Sequence, residues 1–92
     1  MNLSTILSRN NNVSIHIHDS LGYVIDPEKG KIRVLNPTGV DIWNAINGKN
    51  SVQDIIHHLA IIYDQKSTLF QNEVIDFLLQ LKERSLIYLK EE

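Results

Sequence analysis

Apolar and polar residues alternate from Val13 to Leu35, and the chain then changes to helical spacing. Val13, Ile15 and Ile17 alternate with Ser14, His16 and His18, the period of a half-buried strand. Asp19-Ser20 predicts a tight turn, after which Leu21, Tyr23 and Ile25 form the apolar face of a second strand. Asp26-Pro27-Glu28-Lys29-Gly30 is strong turn chemistry, with Pro at an early turn position and Gly where φ must be positive. Lys31 to Leu35 predicts a third strand, with Ile32 and Val34 on one face and Lys31, Arg33 and Leu35 on the other. Two successive hairpins make an antiparallel meander whose middle strand is the second, leaving the first and third as edges.

Helical signals follow at once. Pro37 suits a first helical position because its φ is fixed and it has no N–H to satisfy, which makes Asn36 the natural N-cap. Thr38 with Asp41 offers an overlapping cap. Ile42, Trp43 and Ile46 form one apolar face, Trp43 is the only tryptophan, and Gly48 stands where a helix takes a left-handed stop. Ser51 with Asp54 opens a second helix carrying Val52, Ile55, Ile56, Leu59, Ala60 and Tyr63 at helical spacing. Asp64 to Ser67 breaks it, and Thr68 with Gln71 caps a third helix that runs to about Arg84. The core stripe of that helix is Phe70, Val74, Phe77, Leu78 and Leu81. Ile75 and Leu79 lie about 100° and 140° from Val74, widening the apolar arc beyond one buried face. Leu86 to Lys90 alternates again, as a short strand or an extended tail. Residues 1–12 predict a flexible N-terminal arm, because Asn10-Asn11-Asn12 ends any helical run begun at Leu3, Ile6 and Leu7. The expectation is an α+β fold of order β-β-β-α-α-α in one domain, residues 13–92.

The segment Leu35–Gly48, LNPTGVDIWNAING, resembles the L-N-x-T-G-x-x-I-W-x-x-x-x-G signature of the PqqD-like family. Leu35, Asn36, Thr38, Gly39, Ile42, Trp43 and Gly48 fall on matching positions, and the order of elements matches from about Val13 to Lys90. The resemblance implies a small winged helix-turn-helix: a three-stranded antiparallel N-terminal sheet followed by three helices. It also implies that the domain binds the leader of a ribosomally made precursor peptide and delivers it to modifying enzymes.

Composition narrows the alternatives. The 92 residues, 42% hydrophobic, suffice for one small core. A formal net charge of −2 gives no global attraction to nucleic acid or to an anionic membrane. No cysteine is present, so disulfides, thiolate nucleophiles and Cys-based zinc sites are excluded. No apolar run approaches the ~20 residues of a membrane span, and no signal peptide opens the chain, which points to the cytoplasm. His16 and His18 share a strand face without a third ligand, and adjacent His57 and His58 point about 100° apart, so no metal is expected. No G-x-S-x-G, phosphate-cradling glycine loop or paired apolar carboxylates support catalysis, and neither an enzyme nor a cofactor is expected.

Binding is left, and the third strand is the candidate. An edge strand exposes unpaired N–H and C=O groups; Lys31 and Arg33 are either its protection against aggregation or part of a site where an extended peptide adds a strand. The resemblance implies the second reading, with a groove between the third strand and the third helix. Carried over by position, its walls are Lys31, Ile32, Arg33, Val34 and Leu35 with Val74, Ile75, Leu78, Leu79 and Lys82. Ile75 and Leu79 would form apolar pockets, and Lys31, Arg33 and Lys82 would meet acidic leader residues. The bare single-domain form, ending at Glu92 without a fused enzyme, resembles the recognition partner of lasso peptide pathways, as does Pro37 in LNPTG. There a separate cysteine protease removes the leader and a cyclase closes the ring. PqqD itself, serving a radical S-adenosylmethionine enzyme, is the nearest alternative. A winged-helix DNA reader is the other, opposed by Glu73, Asp76 and Glu83 on the third helix where a DNA reader needs basic and amide side chains.

Overall fold

The computed structural model describes residues 1–90. Its elements are β1 (Ile6–Arg9), β2 (Ser14–His18), β3 (Leu21–Asp26), β4 (Lys31–Leu35), α1 (Pro37–Ala45), α2 (Val52–Ile62), α3 (Gln71–Glu83) and β5 (Ile87–Lys90). The fold is α+β, with antiparallel strands and three helices. The meander has the expected order β2-β3-β4, with β3 in the middle. The strands are nonetheless divided between two sheets, because β1 pairs antiparallel with β5 in a separate ribbon.

That ribbon corrects the expectation of a flexible arm over residues 1–12. Leu7 is fully buried opposite Leu89, and its C=O accepts from Gly48 N–H at 2.9 Å. Asn10, expected only to stop a helix, is buried and anchors the segment: its side-chain amide donates to the Ser85 carbonyl at 2.9 Å and its backbone N–H to the Leu86 carbonyl at 3.0 Å. A single apolar side chain with long-range backbone pairing outweighs the weak local signal of the first turn.

The helices form around the predicted caps, with three exceptions. The Asn36 side chain accepts from Gly39 N–H at 2.8 Å, and Ser51 and Asp54 exchange both bonds of a capping box at 3.1 and 2.9 Å. Thr68 and Gln71, in contrast, do not cap α3: a 3₁₀ turn at Ser67–Leu69 leads into it, with Phe70 at the N-cap and no side-chain cap bond. Asp41 takes no part in capping α1 and instead accepts a hydrogen bond from the Tyr63 hydroxyl at the end of α2. Gly48 has φ +79° but lies beyond the cap of α1, Ile46, turning the chain back onto β1. Trp43, at 2% exposure, sits in the core with Leu7, Leu35, Ile46, Leu59 and Leu78.

The period of β3 holds while its buried face is the other one. Gly22, Val24 and Asp26 are buried, whereas Leu21, Tyr23 and Ile25 are half-exposed on the outer side. Gly22 explains the choice: a Cβ there would stand 2.8 Å from Val40 Cγ2, so the glycine lets α1 pack directly on the meander. The apolar residues thereby displaced to the outside share their face with Val34 and Ile32, which lie opposite Tyr23 and Ile25.

Candidate functional site

The site follows from the parity of the meander. Asp19 and Ser20 form a two-residue hairpin loop, both with positive φ (51° and 67°), so the turn bond closes the pair His18–Leu21. Hydrogen-bonded and non-bonded pairs alternate along an antiparallel ladder. Leu21, Tyr23 and Ile25 therefore bond toward β2, and Gly22, Val24 and Asp26 toward β4, opposite Leu35, Arg33 and Lys31. Ile32 and Val34 are left with their N–H and C=O groups directed away from β3. Since β4 is an edge of its sheet, those groups are what an added strand would meet.

Two clefts run along this edge between β4 and α3. One, of about 680 Å³, lies where Lys31, Ile32, Arg33 and Val34 face Glu83 and Arg84, with Asp26 and Lys29 at the β3–β4 turn. The other, of about 340 Å³, lies where Arg33, Val34 and Leu35 face Glu73, Asp76, Phe77 and Gln80, closed by Asn36, Thr38 and Gly39 at the start of α1. Arg33 belongs to both. Its guanidinium donates to the Gln80 side-chain oxygen at 2.8 Å and lies 5.7 Å from the centroid of the Phe77 ring. Arg33 Nε is buried without a hydrogen-bond partner among the described residues. Gly39 permits the close approach: a Cβ there would stand 3.3 Å from the Phe77 ring, from Leu35 and from its own cap residue.

The strand half of the sequence-derived site is assembled here, and the helix half differs. Lys31, Ile32, Arg33, Val34 and Leu35 all line the clefts; Ile32 and Val34 are exposed at 64% and 54%, while Leu35 is buried. Val74 and Leu78 are fully buried in the core. Ile75, Leu79 and Lys82 line neither cleft. At about 100° per residue, Leu79 stands about 160° from Phe77, so these three occupy the opposite flank of α3. Ile75 packs against the core and Leu79 remains 41% exposed. The flank that does face β4 is Glu73, Asp76, Phe77, Gln80 and Glu83; the sequence placed Phe77 in the core stripe and Glu73, Asp76 and Glu83 among the exposed residues of the third helix, without assigning them to the groove. The apolar arc of α3 extends to either side of Val74, with Ile75 and Leu79 on one side and Phe77 on the other. Only the rotation of α3 in the assembled core selects between them.

The histidines do not converge. His16 and His18 are exposed on β2, with His18 Nε2 at 3.3 Å from Asp19, and no group of three ligating side chains occurs among the described residues. Among those residues, no helix is long and apolar enough to cross a membrane.

A small α+β domain with one open strand edge held beside a helix flank has the geometry that strand addition requires. The chain belongs to the PqqD family: the family model described as coenzyme PQQ synthesis protein D (PqqD) matches residues 22–87, from β3 through α3 to the first residue of β5. Its fold is similar to that of TbiB1 in the solved complex with the TbiA(beta) leader peptide, at TM-score 0.79 and 16% identity over 92% of this chain and 99% of that one. No curated protein matches the chain in sequence.

Proposed function

We propose that the protein recognises the leader region of a ribosomally synthesised precursor peptide, which adds as a strand to β4, and delivers it to a separate enzyme. The observation that carries this reading is the pair of outward-facing backbone positions, Ile32 and Val34, on an edge that two clefts connect to α3. TbiB1, of similar fold, is in complex with a leader peptide, and membership of the PqqD family supports the same role. The three helices with the β3–β4 hairpin are read as a winged helix-turn-helix whose wing edge takes peptide in place of nucleic acid. The domain contributes no chemistry and acts in the cytoplasm by raising the effective concentration of the precursor at its enzyme. A lasso peptide pathway is favoured by Pro37 within LNPTG, the partner enzymes being a leader peptidase of the cysteine protease class and a cyclase.

The test is fluorescence anisotropy with labelled leaders encoded by short open reading frames beside the gene. A saturable isotherm with Kd of about micromolar or below, roughly 8 kcal/mol or more, is expected. Val34→Pro removes one outward N–H without touching the β3 ladder, and should abolish binding while circular dichroism stays unchanged. Tight binding that Val34→Pro retains would place the site elsewhere.

A further inference from the structure

Charge is distributed unevenly along the groove. Beside Leu35 and the start of α3, the smaller cleft carries Glu73 and Asp76, with Arg33 as its only cation. Beside Lys31 and the end of α3, the larger cleft carries Lys29, Lys31, Arg33 and Arg84 against Asp26 and Glu83. Of the two carboxylates there, Asp26 is partly committed. Asp26 accepts from the N–H groups of Glu28 and Lys29 at 3.1 and 3.3 Å, turning it toward its own loop. Lys29 also reaches across to the Arg84 carbonyl at 3.0 Å, fixing an ammonium at the C-terminal end of α3. The groove is thus acidic at one end and basic at the other, with Arg33 between.

A strand joining β4 in the antiparallel sense continues the pattern of the meander, and antiparallel pairing is the commoner kind. It would enter beside Leu35 and leave beside Lys31. We infer that the peptide this groove selects is charge-ordered, with Lys or Arg in its N-terminal half facing Glu73 and Asp76 and Asp or Glu in its C-terminal half facing Lys31 and Arg84. The inference rests on strand addition at β4 and names the class of peptide that site takes. Opposite charges across the groove set register and direction, because a peptide of reversed order meets like charges at both ends. Lys31 and Arg33 alone would ask only for acidic residues. The carboxylates of α3 add the demand for a basic start.

The experiment pans a displayed library of random peptides, about ten residues long as an added strand and its flanks require, on the full chain. Counter-selection on the Val34→Pro variant retains only clones that depend on β4. The expected result is enrichment of Lys and Arg in the first half of the clones and of Asp and Glu in the second. A synthetic clone with its two halves exchanged should bind about tenfold more weakly by anisotropy, the gap narrowing as salt rises from about 0.05 to 0.5 M. On the Glu73→Lys, Asp76→Lys chain the N-terminal preference should reverse, and on the Lys31→Glu, Arg84→Glu chain the C-terminal one. Selected clones with the opposite order, or with none, overturn the charge rule and leave strand addition standing. Panning that yields no clone dependent on β4 overturns both.

Discussion

At the scale of single residues, Arg33 and Phe77 hold the centre of the groove. The guanidinium fork reaches Gln80 and lies over the Phe77 ring at once, a geometry that an ammonium on a flexible stem does not reproduce. Arg33→Lys keeps the charge and should still weaken leader binding by about fivefold or more, in the range of one lost cation–π contact and one hydrogen bond. Phe77→Asp should abolish binding, whereas Leu79→Asp, on the opposite flank of α3, should alter Kd by no more than about twofold, as surface substitutions generally do. Titration of the same labelled peptide against the three variants separates the flanks. A large loss in Leu79→Asp alone would transfer the site to the side of α3 away from β4. Tyr63 provides a pH test elsewhere. The hydrogen bond to Asp41 raises its pKa above 10.0, outweighing the hydrogen bond to Thr38, which lowers it. A raised phenol stabilises the fold at pH below its unfolded value, and that contribution disappears as pH rises through the folded one. Melting temperature should therefore decline more steeply above about pH 10 in the wild type than in Tyr63→Phe.

At the scale of elements, β1 has the clearest consequence for stability. Leu7 is enclosed between the β5 strand and the turn after α1, so Leu7→Ala should cost about 2–5 kcal/mol and lower the melting temperature by more than about 10 °C. Differential scanning calorimetry measures this directly; a change of only a degree or two would return residues 1–12 to the status of an arm. What was legible in the sequence divides along the same line. The meander, its edges, the Asn36 cap, the Ser51–Asp54 box and the burial of Trp43 were all local signals, and each is realised. β1 was not legible, since four residues, Ile6–Arg9, acquire a reason to be extended only when Ile87–Lys90 arrives beside them. The buried face of β3 was hidden for a related reason. Alternation reports that two faces differ, and Gly22 rather than Leu21, Tyr23 or Ile25 decides which one α1 covers. The groove was half legible: β4 could be named from hairpin order, while the flank of α3 that faces it depends on how the helix is rotated in the assembled core.

At the scale of the whole molecule, peptide binding and DNA binding make opposite demands on the same fold. A duplex reader needs a basic surface, and its affinity falls steeply with salt through release of counterions. This chain has a net charge of −2, and the α3 flank beside β4 presents Glu73, Asp76 and Glu83. A leader that adds to β4 binds only the folded state, because neither the edge nor the clefts exist in the unfolded chain. Linkage then requires it to stabilise the fold by about 2.7 kcal/mol at a concentration near one hundred times Kd. For a domain of this size that is a rise in melting temperature of roughly 10–20 °C. A random DNA duplex at the same concentration and low salt should produce no shift. The Val34→Pro variant, whose β3 ladder is intact, should melt near the wild type without peptide and show no rise with it. Thermal unfolding of the two proteins, each alone, with leader and with duplex, thus tests the site and the ligand class together. A rise with duplex that disappears in salt would identify a DNA reader, and a rise with leader in both proteins would mean that the peptide binds away from β4.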